Sequence, residues 1–184
     1  MKNLRVFKFG GASLKNADAI RNVANILQQF KGEPLCIVVS ATGKSTNALE
    51  TVVEAHKAKD GSALEKLEQI KQDHYQICLA LLGEENDVYQ EINDLFVAVE
   101  WVLDEEPHEN YDYMYDQIVS VGELASSQIV AAYLKHVQLP AHWLDARDVV
   151  LFRAGLWRRF PHGGRVFRPR SAMLDCDRGA TRVL

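Results

Sequence analysis

The sequence predicts an α/β fold organised around a parallel sheet, because one pattern occurs twice near its start. Residues 4–9 and 35–39 have the length and apolar character of strands, and each is followed by a short polar loop and then by helical periodicity. The second run is apolar throughout, as in a parallel strand covered on both faces. Both loops are therefore expected at the carboxyl end of the sheet, where open α/β sheets bind ligands.

Length and composition exclude several other classes of protein. A chain of 184 residues predicts one domain of ordinary size. Its three cysteines, Cys36, Cys78 and Cys176, are too far apart for a disulfide framework or a zinc site. No apolar run approaches the roughly 20 residues that span a bilayer, and the start of the chain lacks the pattern of a secretory signal. These observations predict a cytoplasmic protein with no membrane partner.

The first loop lies in the sequence KFGGAS, residues 8–13, and has the residue types of an anion site. Gly10 and Gly11 place no side chain over the turn, so backbone amides can point at one ligand. Lys8 and the hydroxyl of Ser13 add a positive charge and a donor. This combination favours a nucleotide phosphate. The alternative is a plain β–α turn with Lys8 exposed on an edge strand.

The second loop lies in the sequence SATGKSTN, residues 40–47. Its GKS triplet resembles the end of a P-loop, but the position that a P-loop fills with its first glycine is Val38, inside the predicted strand. A P-loop fold is therefore rejected. Ser40 and Gly43 remain as residues that can offer donors to an anion. The alternative is a hydrophilic turn that caps the following helix.

Helical periodicity covers much of the rest of the chain. Residues 17–30 carry an apolar stripe with a period of 3.6 residues, and Asn16 is the candidate N-cap. Residues 49–136 are also predicted to be mainly helical. A glycine before Glu123, followed by small residues, places that carboxylate at a predicted helix N-terminus, where the dipole favours an acidic residue.

A last strand is predicted in the sequence AHWLDARD, residues 141–148, and it ends in alternating charges. Arg147 could bind the carboxylate of a ligand through two parallel hydrogen bonds. It could equally pair with Asp145 or Asp148. The residue types alone do not choose between these partners.

The charge of the chain changes sharply near residue 150. Residues 1–150 hold 13 Lys and Arg against 23 Asp and Glu, whereas residues 151–184 hold eight Arg, no Lys and two Asp. The tail shows neither helical nor strand periodicity. It is either a basic arm for a partner or nucleic acid, or a segment never selected to fold, such as a shifted reading frame; we favour the second. The predicted boundaries are 1–150 for the domain and 151–184 for an Arg-rich tail.

Four segments occur in the order seen in aspartate kinases: KFGGAS, VSATGKSTN, GELAS and LDARD. Over about residues 2–150, the chain closely resembles the start of a monofunctional bacterial aspartokinase of the amino acid kinase superfamily. The combination is far more specific than any one segment. The resemblance implies a parallel-sheet three-layer sandwich of amino acid kinase type, of which this chain holds the N-terminal portion. Ala12 is a mild departure, since many members have threonine there.

The resemblance also implies the ligands and their residues. ATP, with Mg²⁺, would be bound at the first two loops, with Lys8 in contact with its phosphates. Gly10, Gly11 and Ser13 would form the anion cradle. Ser40 and Gly43 would approach the transferring phosphoryl group. L-aspartate would be held by Thr46, by Glu123 through its ammonium group and by Arg147 through its α-carboxylate. No residue of the chain is assigned to a metal, and no nucleic acid is implied. The full-length form is implied to be a homo-oligomer.

The implied reaction moves the γ-phosphoryl group of ATP onto the β-carboxylate of L-aspartate. A carboxylate is already ionised at neutral pH, so the site needs charge neutralisation and in-line placement rather than a general base. The second half of the kinase domain and its regulatory domains are not found, so the 184-residue chain is expected to bind ATP poorly and turn over little. The rival hypotheses are another amino acid kinase (acetylglutamate, glutamate or uridylate) and a non-catalytic binding module.

Overall fold

The computed structural model describes residues 4–151, 168–169 and 181–184 of the chain. The strands are β1 (Arg5–Phe9), β2 (Leu35–Val39), β3 (Ala141–Trp143), β4 (Val150–Leu151), β5 (Arg168–Pro169) and β6 (Thr181–Val183). A 3₁₀ helix (Gly11–Leu14) precedes the α-helices, which are α1 (Ala17–Gln28), α2 (Ser45–Ala58), α3 (Ala63–Leu82), α4 (Val88–Asp104), α5 (Tyr111–His136) and α6 (Ala146–Val149).

A four-stranded sheet in the order β1-β2-β6-β3 is parallel at all three pairings. In its longest pairing, Arg5 lies opposite Leu35 and Phe9 opposite Val39, so β1 and β2 end at the same level. β4 and β5 form a separate antiparallel pair. The predicted α/β fold with a parallel sheet is confirmed. The predicted strands near residues 4–9 and 35–39 are present, whereas the strand predicted in residues 141–148 covers only Ala141–Trp143 and is followed by α6.

The helices agree with the periodicity of the sequence, with two exceptions. The side chain of Asn16 accepts a 2.9 Å hydrogen bond from the Ala19 amide and so caps α1 as predicted. α2 begins at Ser45, slightly earlier than expected. The prediction that Glu123 lies at a helix N-terminus is wrong, because α5 starts at Tyr111 and Glu123 lies in its interior. Among the described residues, no helix is long and apolar enough to cross a membrane.

The core lies where α5 packs against β2, β3 and β6 and against α2, α3 and α4. Its largest fully buried side chains come from both the sheet and the helices and include Ile37, Leu49, Phe96, Ile118 and Ile129. Because α5 contacts the sheet as well as α1, α2, α3 and α4, it sets how far α2 lies from the ends of the strands. This spacing positions the second loop.

The last residues of the chain form a strand inside the sheet rather than at its edge. β6 pairs with β2 on one side and β3 on the other, and the Val183 side chain is fully buried. The Leu184 amide donates to the Ile37 carbonyl over 2.8 Å, and its own carbonyl accepts from the Val39 amide over 2.9 Å. Three residues are too few to show strand periodicity. Most of the predicted tail, 151–184, lies outside the described residues, and the boundary at residue 150 stays a prediction.

Candidate functional site

The two loops that follow β1 and β2 lie in direct contact at the carboxyl end of the sheet. The first loop is residues 10–16 and the second is residues 40–44. The Ser40 amide donates to the Phe9 carbonyl over 3.1 Å, and the Gly43 amide donates to the Gly11 carbonyl over 3.1 Å. The first hydrogen bond joins the second loop to the end of β1, and the second joins it directly to the first loop.

Gly11 is required by this contact. A Cβ atom at this position would lie 2.8 Å from the Gly43 carbonyl oxygen and 3.0 Å from that of Ala41. Gly43 itself has a φ of +54°, in the left-handed region that favours glycine. Gly11 and Gly43 thus have backbone reasons for their identity, one steric and one conformational.

Lysine side chains surround the paired loops. A Cβ atom on Gly10 would lie 3.6 Å from Nζ of Lys8, which places the ammonium group over the first loop. Lys15 approaches the other loop, since its Cα would lie 3.6 Å from a Cβ on Gly43. Lys44 immediately follows, and all three lysines are exposed. The local charge is therefore positive, as an anion site requires.

The hydrogen-bond donors that remain open are fewer than the sequence suggests. The Ser40 amide is engaged with Phe9 at the end of β1 and the Gly43 amide with Gly11, so neither can also point at a ligand. The Ser13 amide donates to the Gly10 carbonyl over 2.9 Å. Within the described part of the chain, the hydroxyls of Ser13 and Ser40 make no hydrogen bond and remain as donors, together with the backbone amides at the start of the 3₁₀ helix.

Glu123 reaches the second loop from the interior of α5. The preceding Gly122 allows a close approach, since a Cβ there would lie 3.0 Å from Cδ1 of Leu49 and 3.2 Å from Cβ of Ala41. Burial raises the pKa of the half-buried Glu123 carboxyl, while its own backbone amide and, to a lesser extent, the Ala41 amide oppose that rise. A backbone amide of the second loop, rather than a helix N-terminus, is what meets this carboxylate.

Thr46 lies in the first turn of α2 and is half-buried, next to the second loop. The Ser126 hydroxyl, one turn beyond Glu123 on α5, donates to the Ser40 carbonyl over 2.7 Å. Ser126 was not assigned a role from the sequence. The signal that could have found it is its position three residues after Glu123, since residues at this spacing share one face of a helix.

Arg147 is held by Asp145 rather than by the loops. Its Nε lies 3.0 Å from both carboxylate oxygens of Asp145, and its Nη2 lies 2.6 Å from one of them. The Arg147 guanidinium also holds the pKa of Asp145 below its usual range. Arg147 lines a cavity between α4 and α5 with Ser120 and Leu124. The sequence left Arg147 three possible partners, which were a ligand carboxylate, Asp145 and Asp148. In the structure its partner is Asp145.

A model of the amino acid kinase family matches residues 3–171. The chain is 32% identical over 157 residues to an aspartokinase of Chlamydia trachomatis, an alignment covering 85% of this chain and 33% of that protein. It is 30% identical over 151 residues to the chloroplastic aspartokinase 1 of Arabidopsis thaliana, covering 78% of this chain and 26% of that protein.

A solved structure supports the same relationship. Aspartokinase III of Escherichia coli, in complex with aspartate and ADP, matches with a TM-score of 0.73 and 27% identity, covering 94% of this chain and 36% of that one. The chain thus spans about a third or less of the length of these relatives. Since the family match covers most of the chain and the fold agrees, this protein belongs to the amino acid kinase family.

Proposed function

We propose that this chain is the part of an aspartate kinase that holds the phosphates of ATP and the amino acid. The reaction would transfer the γ-phosphoryl group of ATP to the β-carboxylate of L-aspartate, giving 4-phospho-L-aspartate. One observation carries the proposal: two loops in contact at the carboxyl end of a parallel sheet, with a lysine ammonium over one and a half-buried glutamate against the other. The aspartokinase relatives agree with it.

Lys8 would contact the phosphates of ATP, and Gly10, Gly11 and Ser13 would form the anion cradle. The position of the Lys8 ammonium beside Gly10 supports this role. A glycine at position 10 lets a phosphate approach the backbone with no Cβ between them. Lys15 lies near enough to add charge to the same region.

Ser40 and Gly43 would approach the phosphoryl group during transfer. The Ser40 hydroxyl is the available donor, since its amide is engaged with Phe9. Gly43 would act through its lack of a side chain rather than through its amide, which bonds to Gly11. Mg²⁺ would arrive bound to ATP, since proteins usually hold this ion through substrate phosphates and only one or two carboxylates.

Glu123 and Thr46 would bind the amino acid, Glu123 through the ammonium group of L-aspartate. A half-buried carboxylate pairs more strongly with a cation than an exposed one does, because water screens it less. Arg147 would bind the α-carboxylate of the substrate, which requires its release from Asp145. The exposed side chain of Arg147 leaves it free to exchange partners.

The chain alone would turn over little, since it spans a third or less of its relatives. We further propose that the full-length protein is cytoplasmic and homo-oligomeric. Its activity as a kinase belongs to that longer form. The 184-residue chain is expected to retain weak ligand binding at the loops.

The test is a titration of the ¹⁵N-labelled chain with Mg·ATP and with L-aspartate, followed by NMR. Mg·ATP should shift the amides of the first loop, and Lys8→Met should weaken this binding about tenfold or more, as expected for a lost bond to a charged group. Lys31→Met, an exposed lysine in the turn before β2, is the matched control and should bind as wild type. Glu123→Gln should weaken L-aspartate binding only.

Three outcomes would contradict the proposal. Mg·ATP shifts that spare the first loop would remove the anion cradle. Equal losses in Lys8→Met and Lys31→Met would mean that overall charge, not the site, attracts the nucleotide. Stronger shifts with acetylglutamate, glutamate or uridylate than with L-aspartate would assign the chain to another amino acid kinase.

A further inference from the structure

A buried histidine supports the second loop from beneath. His74 lies in the middle of α3 and is 1% exposed. Its Nε2 lies 3.2 Å from Oγ1 of Thr42, which is itself buried, and its Nδ1 lies 2.7 Å from the Ile70 carbonyl oxygen. Thirty-two residues separate Thr42 from His74 in sequence, so this contact joins two distant elements.

The hydrogen bonds determine the protonation state of His74. A carbonyl oxygen only accepts, so Nδ1 carries the proton that is donated to Ile70. Burial lowers the pKa of His74, which favours the neutral ring. Nε2 is then an acceptor, and the Thr42 hydroxyl must donate to it. The centroid of the imidazole ring lies 5.5 Å from that of the Phe96 ring, and this packing fixes the orientation of the imidazole.

Thr42 lies between the two residues through which the second loop makes its functional contacts. Ala41, on one side, offers its amide to the Glu123 carboxylate and its carbonyl to the close approach of Gly11. Gly43, on the other side, donates to the Gly11 carbonyl. The Thr42 carbonyl also accepts from the Ser45 hydroxyl over 2.6 Å, at the start of α2. A shift of the Thr42 backbone would therefore disturb each of these contacts.

We propose that His74, as a neutral imidazole protonated on Nδ1, is a positioning residue that holds the second loop against the first through Thr42. Its part in phosphoryl transfer rests on the function proposed above. Its effect on the geometry of the loops in the unliganded chain does not depend on that function. The structural role and the functional role of His74 can therefore be tested separately.

The test compares amide hydrogen exchange in the unliganded full chain among wild type, His74→Phe, Thr42→Val and the double variant. Phenylalanine keeps the ring against Phe96, so His74→Phe removes mainly the hydrogen bond. Valine keeps the shape of threonine, but Thr42→Val also removes the 2.9 Å contact between the Thr42 and Ser45 hydroxyls. The Gly43 and Ser45 amides should exchange about tenfold faster in each single variant, consistent with one lost buried bond. The double variant should resemble the single ones, because both remove the same bond.

Two further variants keep the result interpretable. His74→Gln retains an acceptor near the position of Nε2 and should restore much of the protection of the Gly43 and Ser45 amides against exchange. This variant also tests the proposal if His74→Phe fails to fold. His56→Phe replaces another buried histidine, in α2, and should leave exchange at Gly43 unchanged. Unchanged exchange in both single variants, or effects that simply add in the double variant, would overturn the proposal.

Mg·ATP binding gives the functional readout. If wild type binds Mg·ATP, His74→Phe and Thr42→Val should weaken that binding by similar factors, and unchanged affinity would overturn the positioning role. If wild type shows no Mg·ATP binding, the proposed function fails, whereas faster exchange at Gly43 would still support the contact between His74 and Thr42.

Discussion

The amide of Gly43 donates to the carbonyl of Gly11 over 3.1 Å, while the Gly43 carbonyl oxygen lies 2.8 Å from where a Cβ of residue 11 would be. The two loops that follow the first two strands are thus joined so closely that position 11 of the first loop requires glycine. The atoms that a Cβ on residue 11 would meet are backbone carbonyl oxygens, so no change of side-chain rotamer could relieve the clash.

Substitution of Gly11 tests this contact. Gly11→Ala should lower the free energy of unfolding by about 1–3 kcal/mol, because the added methyl group overpacks against backbone. Gly10→Ala is the matched control. Its φ of −84° suits alanine, and the new Cβ would meet only the flexible end of Lys8 at 3.6 Å. Urea denaturation should show a clear loss for the first variant only, and equal losses would contradict the close approach.

The pair between Arg147 and Asp145 predicts two variants of opposite effect on L-aspartate binding. Arg147→Ala should weaken binding, because the proposed partner of the α-carboxylate is lost. Asp145→Asn should strengthen it about two- to fivefold, because a competing partner of modest strength is removed from the exposed guanidinium. NMR titration measures both. A change in the same direction for the two variants would contradict competition between Asp145 and the substrate.

The buried His74 predicts a dependence of stability on pH. Its pKa is lowered in the folded chain, whereas the unfolded side chain titrates near about 6.5. As the pH falls below that value the unfolded state binds the extra proton first, so this residue makes the free energy of unfolding fall with pH. His74→Phe should therefore lose less stability than wild type between pH 7 and pH 5. His56, whose pKa burial also lowers, is present in both proteins and cancels in the comparison. Parallel curves from urea denaturation would contradict this prediction.

The position of β6 predicts the effect of a charge at residue 183. Val183→Asp should cost at least about 3 kcal/mol of unfolding free energy, because it places an unpaired carboxylate in a fully buried position between two strands. Val6→Asp is the matched control on β1, an edge strand of this sheet, where the side chain is 64% exposed. It should cost less than about 1 kcal/mol. Similar thermal unfolding of the two variants would show that residues 181–184 do not pair in the sheet.

Local pattern identified much of the candidate site. The glycine pair after β1, the polar loop after β2 and the lysine that precedes the first loop were all recognisable, because strand, turn and helix signals lie within a few residues of one another. The roles given to these residues, and to Thr46 on α2, stay predictions. Their joint location at one edge of the sheet followed from parallel topology, and the structure agrees.

Contacts between distant segments were not predictable in the same way. Glu123 was expected at a helix N-terminus because a glycine precedes it, but Gly122 is explained by close packing against Ala41 and Leu49 rather than by a helix start. The hydrogen bonds of His74 to Thr42 and of Ser126 to Ser40 join residues far apart in the chain. A single sequence holds no spacing from which such pairs follow.

The sequence by itself determined the class of fold and the two loops, because each depends on short-range periodicity and on residue types that only certain turns accept. The order of four short segments carried the resemblance to the family. Only the tertiary structure decided which backbone amides remain open, which partner Arg147 takes and that residues 181–184 lie in the middle of the sheet. Those outcomes depend on packing across α3, α5 and the strands, where the atoms that meet are set by three-dimensional distance rather than by order along the chain.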